Sequence, residues 1–242
     1  MRTTLRVGCA LVFAAVLAGA ARAQQPPPPT ISEASAPLLG NSSVQKELNL
    51  TAAQKTAIQK AFETYEKGIQ SLSKETPKSQ QEADRLMQRA GTMRRTMSDS
   101  AIKVLTAPQR TRLRQIGLQF YGIFASLSPD VSKELKLTDD QRTRIRKAQE
   151  LFFEEAVKLQ QQRQQQLQAI APPKNPNDPK EVEAYRKRIT ESAQRFAKED
   201  QKTLETSKKK FEAQAMAVLT AAQKAQWTTL LGPRFNLPQV PT

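Results

Sequence analysis

The chain has 242 residues, of which 38 are Lys or Arg and 23 are Asp or Glu, so its formal net charge is +15. It contains no histidine and one cysteine, Cys9. These counts exclude Ser–His–Asp and Cys–His catalytic arrangements and leave few of the usual ligands of zinc or copper. The carboxylates lie in helical patterns beside Lys and Arg, which is typical of solvated helix faces. We therefore expect that the chain is not an enzyme and holds neither a metal nor a cofactor.

The first 23 residues have the three parts of a secretory signal peptide. Arg2 and Arg6 give a positive start, residues 7–20 are apolar, and residues 21–23 form a small-x-small cleavage site. The apolar run is too short to predict a membrane span. We expect cleavage after Ala23 and a periplasmic or secreted protein. Cleavage would remove Cys9, so the mature chain could form no disulfide.

Residues 24–42 include four consecutive prolines, and their composition is typical of a disordered linker. Beyond them, a six-residue motif with the pattern Leu-Thr-x-x-Gln-Lys/Arg occurs four times. Its copies are Leu50–Lys55, Leu105–Arg110, Leu137–Arg142 and Leu219–Lys224.

Each motif has the residues of a helix capping box. Thr is a favoured N-cap, and a Gln at the third helical position can accept a bond from the Thr backbone N–H. The motifs therefore predict four capped helices. The cap residues are Thr51 with Gln54, Thr106 with Gln109, Thr138 with Gln141, and Thr220 with Gln223.

Long amphipathic helices are predicted between the motifs. Residues 52–72 carry an apolar stripe with alternating spacings of four and three, Pro77 ends this helix, and a return helix is expected over about 78–104. Val131–Thr138 then resembles Val44–Thr51, 87 residues earlier. We predict an all-α fold of two tandem helical-hairpin units that are elongated and partly coiled-coil-like. The units span residues 43–127 and 128–235, and an irregular tail spans 236–242.

The paired Leu-Thr-x-x-Gln motifs resemble those of the Spy/CpxP family of periplasmic proteins, in which one motif opens a long helical hairpin and another closes it. The resemblance implies an all-α, ATP-independent chaperone or stress-response accessory of the bacterial envelope. Family members form thin, curved dimers whose concave face holds unfolded clients. This chain differs because it holds two trimmed units, and because it lacks the His that metal-sensing relatives use.

Three functions remain open at this point. The first is a holding chaperone for non-native or envelope proteins. The second is a structural or adaptor protein whose basic faces bind an acidic envelope polymer or a membrane surface. The third is a regulator that binds a membrane sensor. A basic surface is compatible with all three, and export argues against nucleic acid as a partner.

Two groups of residues are candidates for binding clients or partners. The first lies on the return helix of the first unit, where flexible methionines stand among arginines: Met87, Met93, Met97, Arg85, Arg89, Arg94 and Arg95. Met93 and Met97 also fit the apolar stripe of that helix, so they could be core residues. The second group is Arg112 and Arg144, which lie in two nearly identical basic turns and could bind anions or acidic clients.

An apolar run joins the two units and comprises Phe120, Tyr121, Ile123, Phe124 and Leu127. It is too apolar for a free linker, so we expect it to be buried where the units meet. The chain would then be an intramolecular pseudo-dimer with approximate twofold symmetry. The alternative is that each unit forms a dimer with another chain.

Overall fold

A computed structural model describes residues 29–236, and the regular structure in this range is entirely helical. The predicted all-α fold is therefore confirmed. The helices are α1 (Ile31–Ser35), α2 (Ser42–Glu47), α3 (Ala52–Leu72), α4 (Gln80–Lys103), α5 (Ala107–Tyr121), α6 (Pro129–Glu134), α7 (Asp139–Gln168), α8 (Pro179–Ala217) and α9 (Ala221–Leu231). Two 3₁₀ helices, Ala36–Gly40 and Gly122–Leu127, precede α2 and α6. The predicted signal peptide, the beginning of the predicted linker and most of the predicted tail lie outside the described residues.

All four motifs form the predicted capping boxes at the starts of α3, α5, α7 and α9. At α3, for example, Thr51 Oγ1 accepts from the Gln54 N–H at 3.2 Å, and Gln54 Oε1 accepts from the Thr51 N–H at 3.0 Å. The leucine of each motif is buried, with at most 6% of its surface exposed. Each motif therefore starts a helix and also contributes one residue to a core.

The four long helices form two antiparallel hairpins. In the first, Met93 of α4 lies against Gly68 of α3, and Arg89 forms an ion pair with Glu75 at 2.8 Å near the hairpin tip. In the second hairpin, Arg163 of α7 forms ion pairs with Glu199 and Asp200 of α8 at 3.0 and 2.7 Å. Helices α7 and α8 have 30 and 39 residues, against 21 and 24 in α3 and α4. The second hairpin is longer, as the motif spacing predicts.

The buried residues form two separate clusters at the bases of the hairpins. One holds residues of the first half, among them Leu39, Val44, Ile58 and Leu113. The other is centred on Val131, Leu135, Ile145 and Trp227 of the second half. Ile31 and Leu118, from the first half, also belong to this second cluster. The two halves are therefore joined by shared packing.

The prediction of a disordered linker over residues 24–42 is wrong for the part that the structure describes. Thr30 and Glu33 form a capping box that starts α1, and Ile31, Ala36 and Leu39 are at most 2% exposed. Apolar burial thus orders a segment that its proline-rich beginning had marked as a linker. Ile31 lies 87 residues before Leu118, and both residues belong to the second cluster.

The apolar run between the halves is only partly buried. Ile123 is 3% exposed, whereas Phe120 is 39% exposed. Tyr121, Phe124 and Leu127 are partly buried and pack against the second cluster. The expected burial is therefore confirmed for Ile123, only partial for Tyr121, Phe124 and Leu127, and wrong for Phe120.

The segment after α9 returns across α5. Gln119 Nε2 donates to the carbonyl oxygens of Leu231 and Pro233 at 2.7 and 2.8 Å, and the Phe235 N–H donates to Gln119 Oε1 at 2.7 Å. These bonds connect the end of the second half to the first half.

Candidate functional site: the groove along the first hairpin

The hairpin arms contain little core because two helices can bury only one stripe against each other. No residue from 149 to 206 is buried, and every apolar side chain there remains half-buried or exposed. Among the large apolar side chains, Leu151, Phe153 and Val157 of α7 are 36–50% exposed. The arms therefore present apolar surface that contacts within the chain do not cover.

An open groove of about 360 Å³ runs along one face of the α3–α4 hairpin, and we call it the first-hairpin groove. Its lining combines small side chains with the larger Tyr65, Met93 and Met97. Its lining residues are Ala57, Lys60, Ala61, Thr64, Tyr65, Thr92, Met93, Thr96, Met97 and Ser100. The lining is predominantly apolar, so the groove can accept an apolar side chain or a short segment.

The three candidate methionines occupy different places. Met97 is 6% exposed and lies in the seam between the helices, and the half-buried Met93 packs on Gly68. Both line the groove. Met87 is 59% exposed and lies outside the groove lining. The structure thus brings together two of the three methionines that the sequence grouped.

The candidate arginines of α4 lie around the hairpin rather than in the groove. Arg85 and Arg89 are exposed, while Arg94 and Arg95 are half-buried. Arg89 is neutralised by Glu75. Residues 52–103 hold ten basic and six acidic side chains, so the surface around the groove is basic.

Arg112 and Arg144 have similar sequence neighbours but different environments. Arg112 Nη2 lies 2.6 Å from Glu47 Oε1, and Arg112 Nη1 donates to the Pro233 carbonyl oxygen at 2.7 Å. Arg144 is 60% exposed and lies 3.7 Å from Asp140. Arg112 therefore holds α2, α5 and the C-terminal segment together, and only Arg144 has the exposure of a free binding cation.

A second depression lies beside the turn between α6 and α7. The sequence motifs do not predict it. It has a volume of about 450 Å³, and we call it the basic hollow. Its lining comprises three basic residues, three apolar residues and one serine: Lys133, Lys136, Arg142, Leu127, Pro129, Leu137 and Ser132. Two lysines three residues apart beside a turn give a weak sequence signal, so only the fold reveals the hollow.

Comparison with models of protein families, with curated proteins and with solved structures finds no match for the chain. In residues 29–236 no helix is long and apolar enough to cross a membrane. The same residues contain no group of three or more acidic side chains placed to hold a metal ion.

Proposed function

We propose that the chain is a holding chaperone, a non-enzymatic protein that binds non-native segments of other proteins without ATP and delays their aggregation. The observation that carries the proposal is the first-hairpin groove, which is apolar, open and set in a basic hairpin. Non-native chains expose apolar side chains, and loose apolar contacts with nearby charge suit weak binding of many sequences.

The chemistry of the lining supports this choice of ligand. Met93 and Met97 are flexible and polarizable, so they can adapt to apolar groups of different shape. Ala57, Ala61 and Thr96 are short, so backbone and side chains of a client could approach the hairpin closely. A groove of this kind selects for apolar character rather than for one sequence.

The remaining parts of the proposal rest on the sequence. The signal peptide supports a periplasmic or secreted protein, and the paired motifs resemble those of the Spy/CpxP family. The mature chain has neither His nor Cys, which supports a role without catalysis. Its partners would be non-native or envelope proteins.

The direct test is an aggregation assay with the chain from Gln24 onward and an unrelated aggregating protein, in the absence of ATP. We expect light scattering to rise more slowly at near-stoichiometric amounts of the chain. No delay at these amounts would overturn the proposal. Specific capture of an acidic envelope polymer under the same conditions would favour the structural or adaptor function.

A matched pair of variants tests whether clients bind in the groove. Thr96 and Gln88 are both exposed positions on α4, but only Thr96 lines the groove. We expect Thr96→Trp to fill the groove and weaken the delay of aggregation, while Gln88→Trp leaves it unchanged. Equal activity of the two variants would exclude the groove as the binding site. Met87→Ser tests the exposed methionine separately and should have little effect.

A further inference from the structure

Several positions of the basic hollow carry different residues in the two halves of the chain. Asn49 and Lys136 are equivalent, because they lie 87 residues apart and have φ values of 48° and 50°. The bonds around them also match, with the Leu50 N–H donating to the Gln45 carbonyl and the Leu137 N–H to the Ser132 carbonyl, both at 3.0 Å. The first half therefore shows which other side chains the same turn conformation accepts.

The first half carries a longer side chain at one of these positions. Gln45 stands where the second half has Ser132, and its Nε2 donates to the Leu39 carbonyl at 2.7 Å. Ser132 is shorter, and its surroundings open into the hollow. The second half therefore has a short side chain where the first half has a long, hydrogen-bonded one.

The charges change as well. Asn49 is replaced by Lys136, although a lysine in the left-handed backbone region is less favourable than asparagine. Within the described residues neither Lys133 nor Lys136 forms an ion pair, while Arg142 pairs with Asp139. The nearby carboxylates Asp130 and Glu134 are engaged by Arg114. Two cations at the hollow therefore have no partner among the ion pairs of residues 29–236.

We propose that the basic hollow binds an amphiphile with one anionic head group, a phosphate or a carboxylate, on a hydrocarbon chain. Lys133 and Lys136 face the head group, with Arg142 beside them, and the hydrocarbon packs on the half-buried Leu127 and the exposed Pro129. The combination of unpaired cations with an apolar wall selects for both parts of the ligand, because charge alone would suit any anion and the wall alone any hydrocarbon. This site is separate from the first-hairpin groove and does not rest on the chaperone function.

Calorimetric titration of the full mature chain at low salt tests the ligand class. The probes are decanoate and decyl phosphate below their micelle concentrations, with acetate and inorganic phosphate as head groups alone and decanol as the chain alone. We expect decanoate or decyl phosphate to bind more tightly than both of their parts. Equal binding of decanol, or no binding of any amphiphile, would overturn the proposal.

Substitutions taken from the first half test the site without loss of folding. Lys136→Asn and Ser132→Gln each introduce the residue that the equivalent position already carries, so the turn should form. Removing one cation close to the anion should weaken binding about fivefold at low salt, and Ser132→Gln should block the hollow. Lys46→Gln, at the first-half position equivalent to Lys133, is the charge-matched control and should bind like the parent. Unchanged binding by Lys136→Asn would rule out the hollow as the site.

Vesicles distinguish a membrane lipid from a free amphiphile as the source of the ligand. Co-sedimentation with phosphatidylglycerol-containing vesicles that is reduced in Lys136→Asn but not in Lys46→Gln would support a lipid head group. Binding of decyl phosphate without a vesicle response specific to Lys136 would support a free amphiphile. A matching loss of vesicle binding in Lys46→Gln and Lys136→Asn, without amphiphile binding, would show general charge attraction and contradict the proposal.

Discussion

The side-chain amides of Gln54 and Gln109 donate hydrogen bonds to each other. Gln54 Nε2 lies 2.8 Å from Gln109 Oε1, and Gln109 Nε2 lies 3.3 Å from Gln54 Oε1. The second donor of each amide reaches a carbonyl oxygen across the hairpin base, Val104 for Gln54 and Leu48 for Gln109. Gln141 and Gln223 make the same reciprocal pair at 2.8 and 3.0 Å in the second half. We call each pair an amide clasp. It joins two helix starts at the base of a hairpin, and the same glutamines complete the capping boxes of those two helices.

Gln54→Glu separates the clasp from the capping box. A glutamate keeps the acceptor that the Thr51 N–H needs, and at a helix start its charge should stabilise by a few tenths of a kcal/mol. It has no N–H groups, however, and would bring a negative charge against the Val104 carbonyl and Gln109 Oε1. We therefore expect a net loss of about 1–3 kcal/mol in the free energy of unfolding, measured by urea denaturation at pH 7.

The control for this variant is Thr51→Ala, which removes the box and should cost about 1 kcal/mol. A Gln54→Glu protein that is as stable as the parent, or more stable, would show that capping alone explains the motif.

Lys136→Asn should raise the stability of the chain. The left-handed backbone region is unfavourable for lysine, whereas asparagine enters it readily. We expect a gain of up to about 1 kcal/mol in the free energy of unfolding. The reciprocal change Asn49→Lys should cost a similar amount, and both are measured by thermal and urea denaturation. A loss of stability in Lys136→Asn would mean that the Lys136 side chain contributes contacts that outweigh its backbone conformation.

The sequence predicted those parts of the fold that depend on neighbouring residues. Capping boxes, helix periodicity and the proline-rich turns act over a few positions, so the four motif helices and both hairpins could be predicted from their patterns. The 87-residue sequence repeat also places Asn49 and Lys136 at equivalent positions, and the structure gives them matching backbone conformations.

The contacts between distant residues could not be predicted in the same way. The amide clasp joins side chains 55 positions apart, and nothing in the six-residue motif shows which copies meet. Arg112 and Arg144 have almost the same local sequence, but only Arg112 lies beside Glu47 and Pro233. For α1 the signal was present, since Thr30-x-x-Glu33 has the form of a capping box, but the adjacent prolines outweighed it.

Glu212 should make stability depend on pH. Burial raises the pKa of the Glu212 carboxyl, although Lys208 at 3.9 Å acts in the opposite direction. Because the folded chain holds this proton more tightly than the unfolded chain, stability should fall as pH rises from the ordinary pKa of 4.5 through the raised value. Glu212→Gln should therefore be more stable than the parent at pH 7, with the difference vanishing below the ordinary pKa. Thermal denaturation across this range measures it.

Glu205→Gln is the matched control on the same helix. Its hydrogen bond with Lys209 lowers the pKa of the Glu205 carboxyl, so its contribution is present at neutral pH and is lost as pH falls. This variant should be slightly less stable than the parent at pH 7. A pH response with the same sign in both variants would contradict the assignment of the effect to burial of Glu212.

The contact between α1 and α5 gives the sharpest test of the order at the N-terminal end of the described chain. A Cβ atom added to Gly117 would lie 1.7 Å from Ser35 Oγ and 2.8 Å from Ser35 Cβ, and Ser35 is completely buried. In an exposed helix Gly→Ala stabilises by about 1 kcal/mol. Here the added methyl group must displace α1, so we expect Gly117→Ala to lower the free energy of unfolding by about 1–3 kcal/mol.

The sign of this change decides whether α1 is docked. Ser35→Gly removes the atoms that the new methyl group would meet, so the double variant Gly117→Ala with Ser35→Gly should recover stability relative to the sum of the two single changes. Urea denaturation of the parent, both single variants and the double variant gives the coupling energy between the two positions. Limited proteolysis near residue 31 should become faster in Gly117→Ala alone. If Gly117→Ala instead stabilises the chain, with no coupling to Ser35, then α1 does not pack on α5 in solution and residues 24–42 behave as the linker that their prolines predict.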